Sequence, residues 1–141
     1  MIRQISVDEV QYIAFELASQ LMEWNEPIPP FETRFGGKLE SCLASPFQTF
    51  GKRDLYRGLD QKAAFLFYLM IKNHPFMNGN KRIAVTTLFW FLSLNGKWLK
   101  VGHDELYKEA VWVAESDSRD KDEVVALVRK FIQRYLIDFK G

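Results

Sequence analysis

The run Ala63-Ala64-Phe65-Leu66-Phe67-Tyr68-Leu69-Met70-Ile71 decides the fold. On a helix these residues are apolar around the whole circumference, a pattern that suits only a helix enclosed on all sides. A second run, from Ile83 to Leu94, is nearly as apolar through Ile83, Val85, Leu88, Phe89, Trp90, Phe91 and Leu92, and predicts a helix over roughly 80–94 ended by Asn95-Gly96. Both runs stop well short of the ~20 residues that span a bilayer. They read as two buried central helices, with Asp60 as the cap of the first.

Outward from this pair the signals are amphipathic or punctuating. Ser6-Val7-Asp8-Glu9 has the form of a capping box and predicts a helix from about 7 to 23. Pro27, Pro29, Pro30, Gly36 and Gly37 make 24–37 a loop that tucks Trp24, Ile28 and Phe31 against the body. Leu39 to Ala44 gives a short helix halted at Pro46, and Ser45 to Leu59 reads as an exposed connection with a small hairpin. Leu106, Ala110, Val111 and Val113 within 104–115, and Val124, Val125, Leu127, Val128, Phe131, Ile132 and Leu136 within 120–139, recur at helical spacing. The expected fold is all-α: a compact helical bundle of five to seven helices with two buried central ones, formed by residues 1–141 as one domain.

Composition narrows the function. The chain has 141 residues, 48% of them hydrophobic, which excludes global disorder. Nineteen Lys and Arg against 18 Asp and Glu leave a net charge of +1, so no whole-molecule field draws it to nucleic acid or to an anionic membrane, and neither is expected as a partner. Cys42 is the one cysteine, which rules out an internal disulfide and suits a reducing compartment. The first residues lack the apolar segment of a signal peptide, so the expected location is the cytoplasm.

Between the buried helices lies Lys72-Asn73-His74-Pro75-Phe76-Met77-Asn78-Gly79-Asn80-Lys81-Arg82, the one place where the sequence departs sharply from what packing requires. Pro75 ends the first helix and leaves His74 at its exit. Gly79 lets backbone amides approach a ligand, Asn80 reads as an N-cap, and the following helix start favours phosphate oxygens. Lys81 and Arg82 oppose the helix dipole, which makes sense with an anion in front of them. An imidazole, titrating ordinarily near ~6.5, can take a proton from a hydroxyl, and a phosphate site beside it would hold the electrophile. The residues alone therefore point to a nucleotide-dependent transferase.

The nine residues HPFMNGNKR resemble the signature of the Fic/Doc family, HPFx(D/E)GN(G/K)R. FGGKLESCLASPFQTFG before the motif, DLYRGLDQKAAFLFYLMIKN leading into it and RIAVTTLFWFLSLNGKWL after it resemble the death-on-curing, or Doc, branch. The resemblance implies that His74 is the base activating a target hydroxyl, that Pro75 and Phe76 anchor the loop, that Gly79 and Asn80 hold phosphate oxygens, and that Arg82 clamps the nucleotide. Lysine at position 81 is typical of the Doc branch, where glycine is usual in Fic proteins that transfer AMP. It implies ATP with Mg²⁺ as cofactors, transfer of the γ-phosphoryl group to a protein, elongation factor Tu as the target, and a small antitoxin as partner. An exposed apolar groove is the expected mark of that partner. The alternatives are AMP transfer to a protein hydroxyl, or a catalytically impaired member that acts as a binding module.

One position departs from the signature. Asn78 stands where the family has Asp or Glu, a carboxylate that helps to hold Mg²⁺, and a neutral amide oxygen suits that hard cation less well. Elsewhere the plainer readings hold. Gly36-Gly37-Lys38 is too short for a Walker loop, His103 reads as a cap or surface residue, and Cys42 as a small buried filler. Ser19 to Glu23 has the spacing of a self-inhibitory (S/T)xxxE(G/N) motif, but Trp24 follows where Gly or Asn is expected, so it reads as coincidence.

Overall fold

The computed structural model describes residues 1–21 and 27–139; Glu23 and Trp24, and with them the expected end of the first helix and the inhibitory spacing, lie outside the described residues. The chain opens with α1 (Val7–Glu9), a π-helical turn (Val10–Ala14) and α2 (Phe15–Leu21), which follow one another without a break. The capping box is formed: Ser6 Oγ accepts from the Glu9 amide and Glu9 Oε1 accepts from the Ser6 amide, each at 3.1 Å. The helices α3 (Lys38–Ala44), α4 (Leu59–Lys72), α5 (Asn80–Leu94), α6 (His103–Glu115) and α7 (Lys121–Tyr135) complete the all-α fold. No described helix is long and apolar enough to cross a membrane.

Helices α4 and α5 pack on each other, with α7 against α4, α6 against both and α2 against α5. Every residue of α4 from Lys62 to Ile71 is buried, as its all-round apolar surface requires. The contact between the N-terminal helical run (α1, the π-helical turn and α2) and α5 is polar as well as apolar. Thr86 Oγ1 donates to the Ala14 carbonyl at 2.7 Å, Trp90 Nε1 donates to Glu9 Oε2 at 3.0 Å, and Arg82 donates to the Ala18 carbonyl. Residues 82, 86 and 90 lie four apart, so one face of α5 carries all three donors.

Three expectations need correction. Gly58, not Asp60, caps α4: its backbone is extended and its amide donates to Gln61 Oε1 at 3.2 Å. Asp60 sits in the first turn, where its carboxylate accepts from Arg129 Nε and Gln133 Nε2 on α7, both at 2.7 Å. Burial works to raise the Asp60 pKa, but these bonds together outweigh it and hold the carboxyl below its usual range. Helix α7 ends at Tyr135 rather than near 139, because β4 (Leu136–Asp138) turns extended and pairs antiparallel with β3 (Lys97–Leu99). Trp98 of β3 stacks between Phe89 at 4.6 Å and Phe139 at 5.4 Å, an apolar reward that a continued helix would forgo. Leu127, counted with the apolar residues recurring at helical spacing, is instead exposed on α7.

The expected hairpin is present as β1 (Thr49–Phe50) and β2 (Arg53–Asp54). Gly51 and Lys52 both have positive φ, 58° and 67°, as a two-residue turn matched to strand twist demands. Lys62, only 1% exposed, fastens this segment to α4 by donating to the Tyr56 carbonyl, to Asp54 Oδ2 at 3.2 Å and to the Pro46 carbonyl at 3.4 Å.

Candidate functional site

The loop joining the two central helices is fixed by its neighbours. Helix α4 stops at Lys72 with Asn73 as its C-cap, and His74 follows at φ 47°, in the left-handed region. Two demands meet there. Proline at 75 disfavours the right-handed helical conformation for the residue before it, and a chain leaving a helix sharply turns through a left-handed residue. Glycine would do this freely; a histidine there stores roughly 1–2 kcal/mol. The surroundings hold the strain in place. The Pro75 carbonyl accepts from the Phe35 amide at 2.9 Å, and Phe76, 1% exposed, packs its ring against Phe15 at 5.7 Å and Phe31 at 5.9 Å. The His74 ring itself is exposed.

Asn80 is not the cap of α5. Gly79 is, at φ 72°, and Asn80 is the first helical residue. The Asn80 side chain clasps Phe76: its Oδ1 accepts from the Phe76 amide and its Nδ2 donates to the Phe76 carbonyl, both at 3.0 Å. That amide group is therefore spent on holding the loop closed, and the backbone rather than the side chain of Asn80 remains for a phosphate. Asn78 is exposed and turns its Oδ1 onto the Gly79 amide at 2.8 Å. Gly79 is demanded twice, by its positive φ and by crowding, since a Cβ there would lie 2.7 Å from Ile28 Cδ1 and 3.0 Å from the Pro27 carbonyl oxygen. Gly79→Ala is expected to destabilise the protein by about 1–3 kcal/mol. Chemical denaturation checks this, and an unchanged midpoint would show that the 27–28 backbone yields freely.

Two depressions meet at His74. One, of about 260 Å³, is lined by His74, Asn78, Gly79, Asn80 and Lys81, with Ala114 of α6 opposite. The other, of about 430 Å³, is lined by His74 with Asn73, Lys72, Lys38 and Ser41. The first contains the start of α5, whose opening turn points its amides out of the helix, where anions are held well. The structure thus gathers His74, Asn78, Gly79, Asn80 and Lys81 around one cavity and leaves Arg82 out of it. Arg82 is 6% exposed and its guanidinium is bonded to the Ala18 carbonyl of α2, so to reach a phosphate it must exchange that carbonyl. Sequence reasoning gave Lys38 and Lys72 no role of their own, with Lys38 noted only as the end of a glycine run too short for a Walker loop. Lys72, read as the first residue of the segment between the helices, closes α4 instead, and its ammonium donates to the Ala114 and Ser116 carbonyls and ties the exit of α4 to the end of α6.

The donor set does not fit a protein-held magnesium ion. Among the described residues no group of three His, Cys, Asp or Glu side chains stands together, and the position where the resembled signature has a carboxylate carries Asn78, its oxygen already turned onto the Gly79 amide. Cys42 is buried and donates to the Leu69 carbonyl at 3.5 Å; burial pushes its thiol up to about 11, so it is inert at neutral pH. His103 lies at the first turn of α6, edge-on to Phe89 at 5.9 Å.

Comparison with known proteins adds two findings. The sequence pattern of the Fic/DOC family matches residues 4–92, which include the whole loop and both central helices up to Leu92. Toxin Doc of Mycolicibacterium smegmatis (strain ATCC 700084 / mc(2)155) is 37% identical over 68 residues, 48% of this chain and 52% of that protein. The chain therefore spans about half the length of the curated relative it matches. No solved structure gives a significant match.

Proposed function

The chain belongs to the Fic/DOC family, and from that premise we propose that it is a Doc-like toxin, a cytoplasmic transferase that passes a phosphoryl group from ATP to a hydroxyl of a protein target. The observation that carries the reading is the exposed His74 ring on a strained, packed mount beside the cavity at the start of α5. The target hydroxyl oxygen attacks the γ-phosphorus, the bond to the bridging oxygen breaks, ADP departs and His74 takes the hydroxyl proton. Lys81 and the opening turn of α5 offset the negative charge of the phosphates. Lysine rather than glycine at position 81 supports γ-phosphoryl over AMP transfer. Elongation factor Tu is the proposed target. An antitoxin is the proposed partner, supported by an exposed groove of about 420 Å³ between α6 and α7 that shows Trp112 and Leu127 to solvent beside the half-buried Phe131.

A second reading is favoured by two details: Arg82 is engaged by Ala18, and Asn78 offers no carboxylate. Under it the chain binds nucleotide or antitoxin without turnover. Growth arrest on expression that is lost in His74→Ala excludes this alternative; arrest that persists in His74→Ala removes the transferase reading. Mg²⁺, when it accompanies the nucleotide, would neutralise phosphate charge. Asn78→Asp is expected to tighten Mg²⁺-dependent ATP binding by about tenfold, since an exposed amide becomes a charged oxygen ligand. Calorimetric titration of ATP with and without Mg²⁺ checks this, and equal affinity in the two proteins would remove position 78 from any metal role.

A further inference from the structure

The mechanism uses one of the two depressions at His74 and leaves the other unassigned. We infer that the second, the bay of about 430 Å³ walled by Gly36, Gly37, Lys38, Ser41 and Lys72, seats the hydroxyl-bearing substrate, and that Lys38 selects a serine or threonine with a carboxylate beside it. This rests on the transfer reading above and extends it to the class of acceptor.

Three observations carry the assignment. A base that moves a proton from an acceptor while a nucleotide is attacked must be reached from two sides, and His74 is the residue common to both depressions. The bay has an open wall: a Cβ placed on Gly36 or Gly37 would meet nothing within 4 Å, so an extended peptide main chain can lie against these residues. Finally, the bay is cationic and no carboxylate lines it. The nearest acid on its own helix, Glu40, is already engaged, accepting from the Gly37 amide at 3.2 Å and facing Arg34 at 3.8 Å. Lys72 turns its ammonium to the end of α6, whereas Lys38 is exposed, with its Nζ 5.0 Å from the Phe35 ring centroid. Lys38 is thus the cation placed to meet a charged neighbour of the incoming hydroxyl, and a cation there disfavours a basic segment by the same contact.

The test uses two short serine peptides that are identical except for Glu or Lys on either side of the serine, titrated at low salt into the full chain and followed by amide chemical shifts. The wild type is expected to bind the Glu peptide about fivefold more tightly than the Lys peptide, with shifts centred on Gly36, Gly37 and Asn73. Lys38→Glu is expected to reverse that order. An acidic residue at a helix start suits the dipole, so this variant should fold. Equal affinities for the two peptides, an order that survives Lys38→Glu, or shifts centred elsewhere would overturn the assignment. The two readings fail separately. Charge-selective binding at the bay with no modified serine after ATP is added leaves the bay and removes the transfer chemistry; modification of both peptides alike leaves the chemistry and removes the bay.

Discussion

Exchanging His74 for glycine is expected to give a protein that melts no lower than the parent and, on the proposed mechanism, transfers phosphoryl groups about 10²–10⁴-fold more slowly. The two halves of this result have different causes. On the proposed mechanism, loss of the imidazole would remove the group that takes the hydroxyl proton, while Lys81 and the start of α5 would still hold the nucleotide. The melting temperature is maintained because position 74 has φ 47°, where glycine carries no Cβ penalty. His74→Ala separates the two effects: it loses the same activity but keeps the strained backbone, and should melt about 3 °C below His74→Gly. Single-turnover transfer and thermal melts on the three proteins measure both quantities. A glycine variant that melts well below the alanine variant would show that the left-handed conformation at this position is not what the strain argument takes it to be.

Removing the ring of Phe76 is expected to cost about 3–5 kcal/mol, the largest stability effect of any single change around the loop. Phe76 is 1% exposed, between Phe15 and Phe31, and its main chain is clasped by Asn80. Phe76→Ala empties that space and frees the segment between Pro75 and Gly79, so the melting temperature should fall by about 10 °C and ATP affinity with it. Phe76→Leu retains most of the apolar volume and should lose much less of both. If ATP affinity held while stability fell, the loop would owe its shape to Pro75 and Gly79 alone.

The fold was written plainly in the chain where apolar residues left no polar face to choose. Residues 63–71 admit only burial and 83–92 nearly so, and α4 and α5 lie where those runs place them. What could not be read depends on partners distant in sequence. Leu136 follows Ile132 by four and fits a helix as well as a strand; only the pairing with Leu99 decides between them. Arg82 reads as a cation for an anion because its acceptor, the Ala18 carbonyl, belongs to another helix. Asp60 reads as a cap because Arg129 and Gln133 are remote, and Lys62, just before the apolar run, gives no sign of the three oxygens that await its ammonium. At the site, proline at 75 told that the helix ends, and the structure supplied what proline could not: the left-handed turn at His74 and a second depression on its other side.

The deciding questions are which part of ATP reaches a protein hydroxyl and whether His74 is needed. Incubating the wild type and His74→Ala with a bacterial extract and ATP labelled separately at the α and γ phosphates answers both at once. Wild type is expected to place γ label on protein and no α label, and His74→Ala neither. Incorporation of α label, or γ label undiminished in His74→Ala, would contradict the proposed mechanism.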